Sequence, residues 1–134
     1  QKMLINEDIH IAVHSLKDLP VENNEYLKLN AILKRANPQD VLISKNKKKL
    51  KDFKSDDIIG SSSLRRKAQL LKINPNLNVV DIRGNVDTRV NKMIKGEFDG
   101  LILAAAGVER LGLQKHIAEY LEISKFLNAP VKEL

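Results

Sequence analysis

The sequence predicts an α/β fold carrying a mixed, mostly parallel sheet, and three observations lead to it. Short continuous apolar runs recur at residues 41–43, 58–59, 79–80 and 101–103. Segments with apolar spacing of three and four lie between them, as in Leu64, Ala68, Leu71 and in Val86, Val90, Met93, Ile94. The passages from one kind of segment to the other are polar and marked by glycine or serine. Unbroken apolar runs belong to strands buried on both faces, and strands alternating with helices belong to a sheet covered on both sides.

Taken in chain order, residues 4–8 read as the tail of a helix and a turn. Ile9, Ile11 and Val13 alternate with His10, Ala12 and His14, which predicts a strand over 8–13. Pro20 halts any continuation of the turn that follows. Residues 22–26 are polar loop, and 27–33 alternate well enough for a second strand. Asn37-Pro38-Gln39-Asp40 is a turn signal, and a domain boundary is expected near 35–40. A strand over 41–44 then opens the second portion. Ser63 suits an N-cap, with Leu64, Arg65 and Arg66 as the first turn of a helix over 64–73 that Asn74-Pro75-Asn76 breaks. A strand at 79–82, a helix over 86–94 closed by Gly96, a strand at 100–103 and a short helix through Leu111 complete the series.

Composition excludes several functional classes. The 134 residues are 43% hydrophobic and 30% charged, the balance of a soluble globular chain. No apolar run nears the roughly 20 residues of a membrane-spanning helix, so no membrane partner is expected. There is no signal-peptide pattern. Gln1 opens mid-pattern, which leaves cytoplasm and a plastid-type organelle both open as locations. With 0 cysteines there is no disulfide, thiol nucleophile or thiolate ligand, and 3 scattered histidines predict no metal site. The net charge of +6 and a pI near 9.6 invite a nucleic-acid reading. Aromatic residues at 4% are too few for a stacking platform, and the densest cationic run, 45–54, reads as a solvated surface connection. No nucleic-acid partner is expected.

The arginines are more informative than the total charge. Arginine occurs at six positions, 35, 65, 66, 83, 89 and 110, and five of these follow predicted strands. Its planar, permanently charged fork grips carboxylate or phosphate in a way that lysine cannot. Arg65 and Arg66 open a helix, where the partial positive charge of the N-terminus opposes them. They are either solvated or waiting for an anion. Arg83 precedes Gly84, which is either a plain turn residue or a place where backbone approaches a ligand. Arg89 has Asp87 as a possible partner, and Arg110 suits a helix C-terminus. Asp18, ahead of Leu19-Pro20, is either a turn former or a carboxylate for acid–base work or for stabilising a cation. Lys17 fits holding that carboxylate ionised or binding substrate; Ser15 fits capping the turn. In open α/β sheets ligands sit beyond the carboxyl ends of the strands. If the strands run parallel, the exits at 14–18, 60–66, 83–89 and 104–110 face one cleft.

Four segments, HSLKDLP (14–20), GSSSLRRKAQL (60–70), IRGNVDTRVNKM (82–93) and FDGLILAAAGVERLGL (98–113), together resemble the porphobilinogen deaminase family, also called hydroxymethylbilane synthases. They match in order and spacing. The resemblance implies a periplasmic-binding-protein-like (type II) fold and a deaminating transferase of tetrapyrrole (heme) biosynthesis. That family condenses four porphobilinogen molecules, with loss of ammonia, onto a covalently held dipyrromethane cofactor, giving linear hydroxymethylbilane. It implies Asp18 as the catalytic carboxylate and Lys17, Ser15, Ser63, Arg65, Arg66, Arg83, Gly84 and Arg89 as cofactor binders. Arg110, Ala106, Arg65 and Arg89 are implied in substrate binding. The expected organisation is a partial first lobe with the catalytic turn over 1–36, a second lobe over 37–124, and a return segment over 125–134. The full-length enzyme is expected to be a monomer.

The sequence departs from the family in two respects. The cofactor's attachment cysteine is absent, so the chain is expected to be an inactive fragment. Val131-Lys132-Glu133-Leu134 resembles family sequence found upstream of Gln1, so the junction at 130–131 is expected not to be native. The other reading is a small-anion binding or sensing module on the same fold, without chemistry. Asp18 discriminates between the two, because an anion receptor has little reason to aim a carboxylate into its own cationic cleft.

Overall fold

The computed structural model describes residues 1–15, 18–19 and 24–122. These divide into two compact units, Gln1–Arg35 and a second that starts at Ala36. The return segment and the junction at 130–131 lie outside the described residues.

The smaller unit carries one helical turn, α1 (Lys2–Ile5), ended by Asn6 and by Glu7 in the left-handed region at φ 62°. The N–H groups of Asp8 and Ile9 return to the Met3 carbonyl and close the turn. The stretches at 8–13 and 27–33, expected as strands, form none among the described residues. Ile11 and Val13 are 81% and 97% exposed. Alternation supplies a strand with a face, but the ladder also needs a neighbouring backbone.

The larger unit is built on strands β1 (Asp40–Ser44), β2 (Ile58–Gly60), β3 (Asn78–Val80), β4 (Gly100–Ala104) and β5 (Ile117–Tyr120). Helices α2 (Leu64–Ile73), α3 (Val86–Lys95) and α4 (Ala105–Arg110) follow β2, β3 and β4. The five strands stand in the order β3-β2-β4-β1-β5. The sheet is mixed and mostly parallel, as expected, with β1 alone running against the other four strands. β2 pairs in parallel with β3 and β4, whereas β1 pairs antiparallel with β4 and β5. The physical reason is the connection after β1. It consists of two 3-10 turns, Lys45–Lys47 and Leu50–Asp52, where a parallel arrangement needs a crossover back over the sheet.

Alternate residues of the central strands feed two cores. Leu42, Ile59, Val79 and Ile102 pack with Leu70 of α2 on one face. Val41, Ile43, Leu101 and Leu103 pack with Val90 and Met93 of α3 and Val108 of α4 on the other. Chain order accounts for the division. α2 leads outward from β2 to β3, and α3 leads back past β2 to β4. Right-handed crossovers in opposite directions put their helices on opposite faces. The reversal makes the carboxyl ends of β2 and β4 a topological switch point, where α/β sheets open a crevice.

The lysine run is less solvated than its composition suggests. Lys47 Nζ donates to the carbonyls of Lys115 and Ile117, Lys49 Nζ donates to Ala118 O at 2.5 Å, and Lys48 Nζ pairs with Asp57. The Lys47 and Lys49 contacts tie the connection to edge strand β5. Carbonyls beside a sheet edge attract ammonium groups because they lack ladder partners on their outer side.

Candidate functional site

Because β2, β3 and β4 run in parallel, the residues that follow them emerge at one edge of the sheet. Antiparallel β1 begins at that edge, with Asp40 opposite Ala104. The edge is closely stitched. Ser61 N–H donates to Val80 O at 2.9 Å, and the Ser62 hydroxyl both donates to Ile82 O and accepts from Ile82 N–H. Ala105 N–H donates to Gln39 O at 2.9 Å. Three of the four strand exits singled out in the sequence therefore come together. The fourth, at 14–18, belongs to the smaller unit.

At the switch point the sequence places Arg65 and Arg66 in the first turn of α2, capped by Ser63, whose hydroxyl accepts from Arg66 N–H. The anion that this turn calls for comes from within the fold. Asp40 Oδ1 accepts from Arg66 Nε and Nη2 at 3.0 and 2.6 Å, and Oδ2 accepts from Arg65 Nη2 at 2.7 Å. Arg66 Nη1 also reaches the Ile102 carbonyl at 3.5 Å. Asp40 is buried, and the side chains of Arg65 and Arg66 are 27% and 16% exposed. Sequence reasoning missed Asp40, which it treated as the end of a turn signal. Its one available sign was a carboxylate directly before a wholly apolar strand.

At the exit of β3, Arg83 is exposed and has no hydrogen-bond or ion-pair partner among the described residues. Gly84 takes φ 114°, a conformation that L side chains rarely adopt, and a Cβ there would stand 2.8 Å from Thr88 Cγ2. Asn85 caps α3 by accepting from Thr88 N–H. Arg89 reaches back one turn, and its Nε donates to Gly84 O at 2.7 Å. Asp87, its possible partner in the sequence, makes no ion pair with it.

At the exit of β4, Ala106 is half-buried in the first turn of α4 and Arg110 is exposed in its last. Arg110 has no hydrogen-bond or ion-pair partner among the described residues. Its neighbour Glu109 accepts from Asn37 Nδ2 at 3.2 Å and from the Tyr120 hydroxyl at 3.1 Å, tying α4 to the start and end of the unit.

In the smaller unit, Asp18 is exposed and its N–H donates to Ser15 O at 3.0 Å. Ser15 is exposed, and its carbonyl also accepts from His14 Nδ1. Lys17 lies outside the described residues.

The edge of the larger unit thus presents two kinds of guanidinium. Arg65 and Arg66 are anchored on a buried carboxylate, while Arg83 and Arg110 stand exposed and pair with no carboxylate among the described residues. Ser61 Oγ is buried there and makes no hydrogen bond among the described residues. Such an edge suits ligands carrying several carboxylates. A cavity of about 400 Å³ opens at the other end of β1, beside Ser44, Lys45, Lys47, Met93, Lys115 and His116; no residue selected from the sequence lines it. Among the described residues no cluster of histidine and carboxylate side chains could hold a metal, and no helix is long and apolar enough to cross a membrane.

Comparison with known proteins gives a family. The family model described as "Porphobilinogen deaminase, dipyromethane cofactor binding domain" matches residues 1–132. The porphobilinogen deaminase of Thermus thermophilus is 48% identical over 130 residues, 97% of this chain and 43% of that protein. That of Alkaliphilus metalliredigens is 50% identical over 129 residues, 96% of this chain and 41% of that protein. That of Bacillus subtilis is 46% identical over 130 residues, again 96% and 41%. The chain spans about two fifths of the length of these curated relatives.

Proposed function

The chain belongs to the porphobilinogen deaminase family, and from that premise we propose that it is the anion-gripping part of a hydroxymethylbilane synthase in tetrapyrrole biosynthesis. The substrate is porphobilinogen, a pyrrole with acetate and propionate side chains. One observation carries the reading: three strand exits bearing Arg65, Arg66, Arg83, Arg89 and Arg110 converge on one sheet edge.

The residues present fit the noncovalent hold on a dipyrromethane cofactor. Arg83 offers an exposed fork, Gly84 keeps its turn open, and the buried Ser61 hydroxyl lacks a partner among the described residues. The covalent anchor has no counterpart, since the chain has 0 cysteines. Lys17, Ser15, Ser63, Arg65, Arg66, Arg83, Gly84 and Arg89 would hold the cofactor's acidic side chains. Arg110, Ala106, Arg65 and Arg89 would meet those of the incoming substrate. When bound, the cofactor supplies the pyrrole carbon to which the first substrate is joined.

Asp18 is the proposed catalytic carboxylate. It would accept a hydrogen bond from the substrate pyrrole N–H and balance the positive charge that develops as ammonia leaves. Charge held at the developing centre by a preplaced group is the largest lever available to such a reaction. The segment around Asp18 is read as part of a first lobe over 1–36, and residues 37–124 as the second lobe.

The test is porphobilinogen consumption with ammonia release by the complete protein that carries this chain. Asp18→Asn should retain substrate binding and lower turnover by about 10²-fold or more. Undiminished turnover in that variant would remove Asp18 from the chemistry, and an inactive parent would remove the reading itself.

A further inference from the structure

Arg65 and Arg66 are neighbours in one helical turn, yet Asp40 makes them unequal. Arg66 turns inward, with Nε and Nη2 on Asp40 Oδ1 and Nη1 toward the Ile102 carbonyl of β4. Arg65 shares only Nη2 with Asp40 and is the more exposed of the two, at 27% against 16%. We propose that Asp40 is a positioning residue: Arg66 grips its buried carboxylate, and that carboxylate in turn aims Arg65 at ligand. The inference rests on the reading that this edge grips carboxylated pyrroles.

Three physical arguments support it. A buried carboxylate is tolerated only when paired and hydrogen-bonded, and Arg66 supplies the larger share of that pairing. An arginine in the first turn of α2 is repelled by the helix dipole, and the Asp40 carboxylate supplies a countercharge at that turn. A long side chain already held in place loses less rotamer freedom when ligand arrives, which strengthens binding without adding a contact. Asp40 is suited to the task because it is the first residue of a strand buried along its whole length. Its backbone cannot move without moving the sheet.

The proposal is tested in the complete protein by measuring KM and kcat for porphobilinogen with Asp40→Asn, Arg65→Ala and the double substitution. Positioning predicts that Asp40→Asn raises KM by about tenfold in the parent, moves kcat less, and adds little once Arg65 is already alanine. An equal factor in both backgrounds, or an unchanged KM, overturns it. A second measurement requires no substitution and stands even where Asp40→Asn fails to fold. In a structure of the complete protein with porphobilinogen bound, Asp40 should remain on both guanidiniums. A ligand carboxylate in place of Asp40 would make it a mere stand-in and overturn the assignment. A parent protein that consumes no porphobilinogen removes the underlying reading and this inference together; an active parent with unchanged Asp40→Asn kinetics removes only the inference.

Discussion

Arg66 closes on Asp40 from 26 positions along the chain, with Nε at 3.0 Å and Nη2 at 2.6 Å from the same carboxylate oxygen. The contact joins the start of α2 to the start of β1 across the carboxyl end of β4. Removing it by Arg66→Ala leaves Asp40 buried with Arg65 as its remaining ion-pair partner among the described residues. The expected loss is about 2–4 kcal/mol, somewhat below or within the range for a broken buried pair. Arg66→Lys should recover part of it, because charge returns without the fork. Urea unfolding of the three proteins checks the order.

Acid should destabilise the fold in two separate windows. Lys48 Nζ hydrogen-bonds the Asp57 carboxylate, with help from Lys54 N–H, and holds it below its ordinary value of 3.8. Burial, with Lys115 and Lys47 nearby, holds the His116 imidazole below its ordinary 6.5. Each group binds its proton less readily when folded than when unfolded. The stability each contributes is therefore present above the ordinary value and lost as pH falls through the folded one. Melting temperature should fall first below pH 6.5 and again below 3.8. His116→Gln should shrink the first step and Asp57→Asn the second; steps unchanged in these variants would contradict the assignment.

Two strand glycines are held by close packing. A Cβ at Gly100 would stand 2.7 Å from Phe53 Cζ, and one at Gly60 would stand 2.7 Å from Leu101 Cδ2. Phe53 and Leu101 are both buried, so neither can swing aside. Gly100→Ala and Gly60→Ala should each cost about 1–3 kcal/mol. In α4, a Cβ at Gly107 meets only Val86 Cγ2, at 3.4 Å. Gly107→Ala should be neutral or stabilise by up to about 1 kcal/mol through its helical propensity. Chemical denaturation gives the ranking directly.

Gly84 links backbone conformation to an arginine. Its φ of 114° and the 2.8 Å approach to Thr88 strain any side chain placed there. Its carbonyl is also the acceptor for Arg89 Nε. Gly84→Ala should cost about 1–3 kcal/mol and displace Arg89 from its anchor. In the complete protein the variant should show a lower melting temperature and a higher KM for porphobilinogen. A changed melting temperature with an unchanged KM would separate the strain from any role in binding.

Elements with their own punctuation were legible in the sequence. α2 was bounded by the Ser63 cap and by Asn74-Pro75, and α3 by Asn85 and by Gly96, which takes φ 94° at the C-cap. Elements defined by a partner were not. β5 has only a four-residue span, and its identity comes from pairing with β1. The direction of β1 depends on the turns after it and is invisible in residues 40–44. Conversely, Ile11 and Val13 alternate as a strand should but form none among the described residues. The candidate edge was legible as arginines following apolar runs. Asp40 was not, because a lone aspartate after Asn-Pro-Gln reads as turn chemistry until the sheet brings α2 above it.

The most direct measurement for the central claim is the intact mass of the complete protein, parent and Arg83→Ala, purified side by side. Arg83 is exposed at the convergent edge and makes no hydrogen bond or ion pair among the described residues, so its removal should disturb ligand before fold. The account predicts a parent that carries dipyrromethane and a variant in which the loaded fraction falls by about tenfold, with its melting temperature little changed. Equal loading and equal porphobilinogen consumption in the two proteins would contradict it.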